Sequence, residues 1–282
     1  MQRALEGGTS MFPTRILSMN LMAVLLVLTA WVAPGFARAA GDDRDQENAG
    51  RITLSTGIDL SSGDYGQVED TDIWYVPLAL KYERGPWIGK VTVPFIRIEG
   101  AGDVVGGVEG PIIIGGGGAQ TREQGLGDVI AALSYVLYPS TSFLPVAEFT
   151  GKVKFATADE DEALGTGEND YTAQLDLSKA LGRLTPFGTV GYRWIGEPSG
   201  VELDDVFFAS AGLGLKITNW LSAGVIYDFK QASSDAADDS RELVTYLSLK
   251  ISDALTLGSY TVIGLSDSSP DLGLGVNVSV SW

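Results

Sequence analysis

From residue 50 onward, apolar and polar side chains alternate over most of the chain. In 271–282, Leu272, Leu274, Val276, Val278, Val280 and Trp282 share one parity, and Gly273, Gly275, Asn277, Ser279 and Ser281 share the other. A strand points successive side chains to opposite faces, so this segment has one greasy face and one small, polar face. Two environments produce that pattern: a half-buried strand of a soluble sheet, or a membrane barrel strand with lipid outside and a polar lumen inside.

The alternation predicts twelve strands, over 51–60, 72–82, 87–98, 126–138, 145–156, 170–180, 185–195, 205–217, 220–230, 241–251, 254–265 and 271–282. Each length suits a tilted membrane span of roughly 9–11 residues. Segment 145–156 is typical: Ala147, Phe149, Val153 and Phe155 fall outside, and Glu148, Thr150, Lys152 and Lys154 inside. In 72–82 the expected outward set is Trp74, Val76, Leu78, Leu80 and Tyr82, with Asp72, Ala79 and Lys81 inward. Segment 87–98 loses phase, because Val91, Val93 and Phe95 outward would be followed by Arg97. A bulge at Pro94 would restore Ile96 and Ile98 to the outside.

The connections separate the two environments. Those at 84–86, 139–144, 181–184, 218–219 and 252–253 are short, and alternate with mostly longer ones at 61–71, 99–125, 157–169, 196–204, 231–240 and 266–269. Outer-membrane barrels have short periplasmic turns and longer external loops, whereas a soluble sandwich has no reason for this alternation. Aromatics agree with it. Tyr82, Trp87, Tyr138, Trp220 and Trp282 lie beside the short turns or the C-terminus, and Trp74, Phe155, Tyr171, Trp194, Phe207 and Phe229 near the long loops. Those are two girdles, one per interface.

Composition removes several alternatives. The chain has 282 residues, no cysteine and no histidine, which excludes disulfides, thiolate chemistry, Cys/His metal sites and histidine-based triads. The net charge of −17 argues against nucleic acid as a partner. No metal set, cofactor fingerprint or ATP motif is present, and the Gly-rich run at 115–118 lacks the Lys-Ser/Thr of a phosphate loop.

The N-terminus sets the compartment. Arg15 precedes an apolar run at 21–33, followed by Pro34-Gly35 and Ala37-Arg38-Ala39. This predicts a secretory signal peptide over 1–39, with Met11 a plausible true start. A short polar periplasmic segment over 40–50 and a barrel over 51–282 complete the expected organisation.

Candidate functional residues are the charges on the inward parity: Lys81, Lys90, Asp128, Glu148, Lys152, Lys154, Asp176, Arg193, Asp228, Lys230 and Lys250. A lipid-facing Lys or Arg costs about 2–4 kcal/mol at the membrane midplane, so such charges belong in the lumen. Two readings stand: a selective, charge-lined passage, or a salt-bridge network that fills and stiffens the barrel. In the loop 99–125, Ile112, Ile113 and Ile114 precede four glycines. An apolar patch does not stay exposed in an external loop; it folds into the mouth as a constriction or packs on the rim. The acidic runs at 159–162, 202–205 and 235–239 match no EF-hand spacing, which favours solvated loops over cation sites.

The ending on Trp282 resembles the C-terminal signal by which bacterial outer-membrane barrels are recognised for assembly. Gly63-Asp64-Tyr65-Gly66, the runs 74–82 and 90–98, Gly125-Leu126-Gly127-Asp128, Gly151-Lys152-Val153-Lys154-Phe155 and Gly165-Thr166-Gly167 resemble the transporter-like outer-membrane proteins of the phenol meta-pathway (MetA) type family. The resemblance spans most of the chain after the signal. It implies an outer-membrane barrel for uptake of hydrophobic or aromatic compounds, and no transferable substrate residues.

The sequence therefore predicts an all-β, transmembrane, antiparallel up-and-down barrel of about twelve strands in the bacterial outer membrane. Its expected role is a passive small-molecule channel without a cofactor. The expected partners are outer-membrane lipid and lipopolysaccharide, the barrel-assembly machinery and a small solute. A closed structural or adhesive barrel is the alternative. An outer-membrane enzyme is disfavoured, because twelve-stranded lipases of similar size use a catalytic histidine and this chain has none.

Overall fold

The computed structural model describes residues 50–67, 69–101, 104–105, 111–113, 120–141, 143–159, 162 and 164–282. The predicted signal peptide, residues 40–49 and Ile114 lie outside the described residues. Alternation becomes strand throughout: β1 (Arg51–Gly63), β2 (Thr71–Arg84), β3 (Trp87–Ala101), the short pair β4 (Val104–Val105) and β5 (Ile112–Ile113), then β6 (Gln120–Leu126), β7 (Val129–Leu137) and β8 (Val146–Phe155). They are followed by β9 (Asp170–Ser178), β10 (Leu184–Trp194), β11 (Val206–Lys216), β12 (Leu221–Lys230), β13 (Ser240–Lys250), β14 (Leu255–Gly264) and β15 (Leu272–Ser281).

Antiparallel pairs run β1–β2, β2–β3, β3–β7 and then strand by strand to β14–β15, and β15 pairs with β1 to close the sheet. Both β6 and β7 lie against β3, one above the other. They are two halves of one span, which makes the barrel twelve-stranded. Closing the seam gives β1 and β15 a partner on both edges, as the hydrocarbon of a membrane requires. At the seam, Ile52 and Trp282 exchange two backbone hydrogen bonds of 3.0 Å. On the inner side of the seam, Thr53 meets Ser281 at 2.9 Å and Ser55 meets Ser279 at 2.8 Å. The polar parity of the final strand thus pairs with that of the first inside the lumen, while Leu54, Leu274, Val276 and Val280 face out.

The turns at the end carrying Trp282 are built by side chains. Thr218 Oγ1 accepts from the amides of Trp220 and Leu221, and Ser252 Oγ accepts from those of Ala254 and Leu255. The same hydroxyl-capped turn therefore joins β11 to β12 and β13 to β14. Gly85 holds a positive φ of 56° between β2 and β3, a conformation glycine adopts without steric penalty.

Two expectations are corrected. No bulge interrupts β3 at Pro94: β2 and β3 stay in register from Arg84↔Trp87 to Asp72↔Glu99. Ile96 and Ile98 point into the barrel, 1% and 2% exposed, and Arg97 takes the outer face. The bulge lies in the facing strand. Phe95 opposes Leu126 while Thr92 opposes Ile130, so Val93 and Pro94 face three residues, 127–129. Pro94 has no N–H to give to a ladder, and its carbonyl accepts from Gly127 instead. The second correction concerns Asp72, which shares the outward parity of Trp74 rather than the inward one of Lys81.

Candidate functional site: a charged and aromatic lumen under a folded-in hairpin

Inward charges fall into separate groups. At the long-loop end, Lys154 Nζ lies 3.3 Å from Asp128 and 3.1 Å from Asp170, and donates to Thr166 Oγ1 at 3.0 Å. Asp128 sits in the bulge, where its Oδ1 also accepts from the amides of Thr157 and Ala158, each at 2.9 Å. The loop 156–169 is thereby tied to the strand ends. Lys154, Asp128 and Asp170 are all buried, so this group satisfies itself.

Lower on the same wall, Glu148 faces Asp176 across β8 and β9. Asp176 accepts from Thr189 at 2.7 Å and from Gln174 Nε2 at 2.9 Å. Lys152 and Arg193 both lie opposite Thr172, one from each side. Asp228 and Glu242 oppose each other on β12 and β13, with Lys230 two residues from Asp228. Near the short turns, Lys81 opposes Lys90 and pairs with Glu83 at 3.0 Å. Lys250 pairs with Asp253 at 2.6 Å in the turn, and that bond holds the Asp253 carboxyl below its ordinary range.

The remaining wall is aromatic. Four inward rings lie directly opposite glycines of the neighbouring strand: Phe187 over Gly212, Phe208 over Gly191, Tyr246 over Gly224 and Tyr260 over Gly275. A Cβ at any of these glycines would collide with the ring it faces. The rings are laid along the wall because the facing residue has no side chain to hold them off. Ile226, Val244 and Val262 pack with three of the rings as one buried cluster. Strands six places apart in a closed twelve-strand barrel face each other. The ring-bearing strands β10, β11, β13 and β14 therefore stand across the barrel from β1, β2, the β6–β7 span and β8.

Above the lumen, β4 and β5 form a two-residue hairpin, with Val104 opposite Ile113 and Val105 opposite Ile112. Val104 and Ile113 join Tyr65, Ile73, Tyr75, Ile96, Ile98, Ile130 and Leu164 in one buried cluster. Ile112 joins Ile195, Leu203 and Val206 in another. The hairpin thus spans from the β1–β8 side of the mouth to the β10–β11 side. Tyr65 reaches the first cluster from the loop 64–70 at a positive φ of 50°, with its hydroxyl on Ser61 at 2.6 Å. Burial drives its phenol well above its ordinary range.

Sequence reasoning did not name the inward apolar residues Ile73, Tyr75, Phe187, Ile226, Val244 and Val262. The signal was present as strands apolar on both parities, 73–76 and 225–227 for example, which marks burial on both faces.

Residues 41–282 match the model of the family described as putative MetA-pathway of phenol degradation. The chain belongs to that family. This member of the MetA family resembles in fold an outer membrane channel from Pseudomonas putida F1, at a TM-score of 0.59 and 14% identity, over 86% of this chain and 100% of that one. Also similar are the KdgM porin, at a TM-score of 0.48 and 10% identity over 82% of this chain and 99% of that one, and the CymD monoaromatic hydrocarbon channel, at 0.41 and 9% over 83% and 87%. At such identities the likeness is one of fold. No curated protein matches the sequence of this MetA-family chain.

Proposed function

We propose that this protein is a passive channel of the bacterial outer membrane that takes hydrophobic or aromatic small molecules. In this reading residues 1–39 are removed on export and 40–50 form a short periplasmic segment. The barrel-assembly machinery recognises the strand ending in Trp282, and the barrel sits among outer-membrane lipid and lipopolysaccharide. The single observation that carries the solute class is the inner wall of four rings laid over glycines. Three of the rings pack with Ile226, Val244 and Val262 as an apolar inner lining, and ring–ring contacts with an aromatic solute contribute about 0.5–1.5 kcal/mol beyond area burial. Lys81, Lys90 and Lys152 add charge to the inner wall. Asp128 and Lys154, which satisfy each other, hold the external loop rather than meet the solute.

Ile112 and Ile113 form the constriction, since they seal two apolar clusters across the mouth. That sealing also supports a second reading, a closed structural barrel. Planar-bilayer recording and liposome uptake of phenol or benzoate separate the two. Conductance together with faster uptake of the aromatic solute than of a sugar of similar mass supports the channel. Absence of both, with and without the hairpin, supports the closed barrel.

A further inference from the structure

On the outer face of β2, β3 and β6, register places residues in three successive rows. Val76, Phe95 and Leu126 form the lowest, Trp74, Arg97 and Gln124 the next, and Asp72, Glu99 and Arg122 the highest. Within two steps along the strands, the surface passes from wholly apolar, through an aromatic and a cation, to wholly charged. That sequence marks the level where hydrocarbon gives way to headgroups. A guanidinium on the lipid side is tolerated only near such an interface, where its penalty falls to about 0–1 kcal/mol.

Two guanidiniums meet there. Arg97 lies 5.6 Å from the centroid of the Trp74 ring and donates through Nη2 to Glu99 Oε2 at 2.9 Å. Arg122 Nε reaches the same oxygen at 3.5 Å, with its side chain well exposed. One carboxylate oxygen therefore serves two cations, and with Asp72 in the same row the cluster holds two guanidiniums and two carboxylates. Arg97 Nε is also buried and without a hydrogen-bond partner. The ring under Arg97 fixes the plane of its fork, and planar donor forks match phosphate oxygens.

We propose that Arg97 and Arg122 bind a phosphate of an outer-leaflet glycolipid, with Trp74 seating the guanidinium and Glu99 occupying the donors until the phosphate displaces it. The site faces the membrane rather than the lumen. It rests on placement of the barrel in the outer membrane and not on conduction, so it survives a closed barrel. Glu99 competes with the phosphate for the same donors; neutralising it should therefore tighten binding, whereas a merely structural ion pair predicts no gain.

Native mass spectrometry of the full chain in detergent tests this with three probes: bisphosphorylated lipid A, its dephosphorylated form, and inorganic pyrophosphate. The expected result is retention of bisphosphorylated lipid A by the wild type, at least tenfold above the dephosphorylated form. Pyrophosphate at equal concentration should not displace it. The Arg97→Gln/Arg122→Gln double variant should lose that retention while staying heat-modifiable. Glu99→Gln should retain more lipid than the wild type, and provides an independent test if the double variant does not fold. Equal retention of both lipid forms, or no gain in Glu99→Gln, overturns the proposal. Displacement by pyrophosphate makes the site one for free phosphate and overturns the lipid assignment. Membrane fractionation reports localisation separately.

Discussion

Ser234 donates through Oγ to the backbone carbonyl of Ile113 at 2.6 Å, in a buried contact between residues 121 apart in sequence. The bond fastens β5 of the folded-in hairpin to the loop 231–239, on the far side of the mouth from the strands that carry the hairpin. A neutral hydrogen bond of this kind contributes about 0.5–1.5 kcal/mol, and a buried carbonyl left unpaired loses more. Ser234→Ala should therefore loosen the hairpin without unfolding the barrel. Single-channel recordings are expected to show more frequent openings, with the heat-modified gel shift unchanged. An unaltered open probability would mean that the two apolar clusters hold the hairpin by themselves.

The Lys154 network supports a different kind of prediction. Lys154→Met leaves Asp128 and Asp170 buried without their shared cation, a change that costs about 3–5 kcal/mol when a buried pair is broken. The loss should fall on the loop 156–169, from which two backbone amides donate hydrogen bonds to Asp128. Limited proteolysis is expected to cut that loop in the variant far faster than in the wild type, and the thermal midpoint in detergent should drop by several degrees. Uptake of an aromatic solute should change little, because the network lies outside the proposed path.

The aromatic wall is testable from the glycine side. Gly224→Val introduces a branched side chain where the Tyr246 ring lies, and the ring must swing into the bore. Liposome uptake of phenol is expected to fall several-fold, while the variant still inserts and runs as a folded barrel. Pairing it with Tyr246→Ala should restore passage, since the valine then has nothing to displace. Failure of the double variant to recover would place the defect in the strand and not in the ring.

How much of this was legible beforehand depends on which face a residue serves. Lipid imposes one rule along its whole depth, so the outward parity of Leu272, Leu274 and Val276, or of Phe149 and Phe155, could be read from alternation alone. The lumen imposes no such rule, because its residues answer only to whichever partner crosses to meet them. Ile96 and Ile98 look misplaced in their own strand; Tyr65, Ile113 and Leu164, arriving from three separate loops, account for them. The phase problem around Pro94 was visible, but its resolution lay in the facing strand at 127–129, between Leu126 and Ile130, which pair with β3 through non-local contacts. Lys154 and Asp128 share the inward parity. Their partner Asp170 begins another strand, so their joining needed the fold.

The last prediction concerns the barrel seam. Trp282 is two-thirds exposed on the outer face, yet its backbone exchanges a pair of hydrogen bonds with Ile52. The side chain and the main chain thus do different work: the indole lies in the aromatic girdle beside the short turns, and the amide and carbonyl complete the closing ladder. Trp282→Ala keeps the ladder and removes the ring, whereas deleting the residue removes both. If the ring is the element recognised during assembly, both changes should lower the amount of barrel in the outer membrane several-fold, and to a similar extent. If seam closure dominates, only the deletion should do so, and the alanine variant should assemble normally. Refolding of the purified chains into detergent, where no assembly machinery is present, provides the internal control. Trp282→Ala should refold there at nearly the wild-type rate, and the deletion should show a lower thermal midpoint from the two lost bonds. Quantifying membrane levels and in vitro refolding for the two variants in parallel separates recognition from closure.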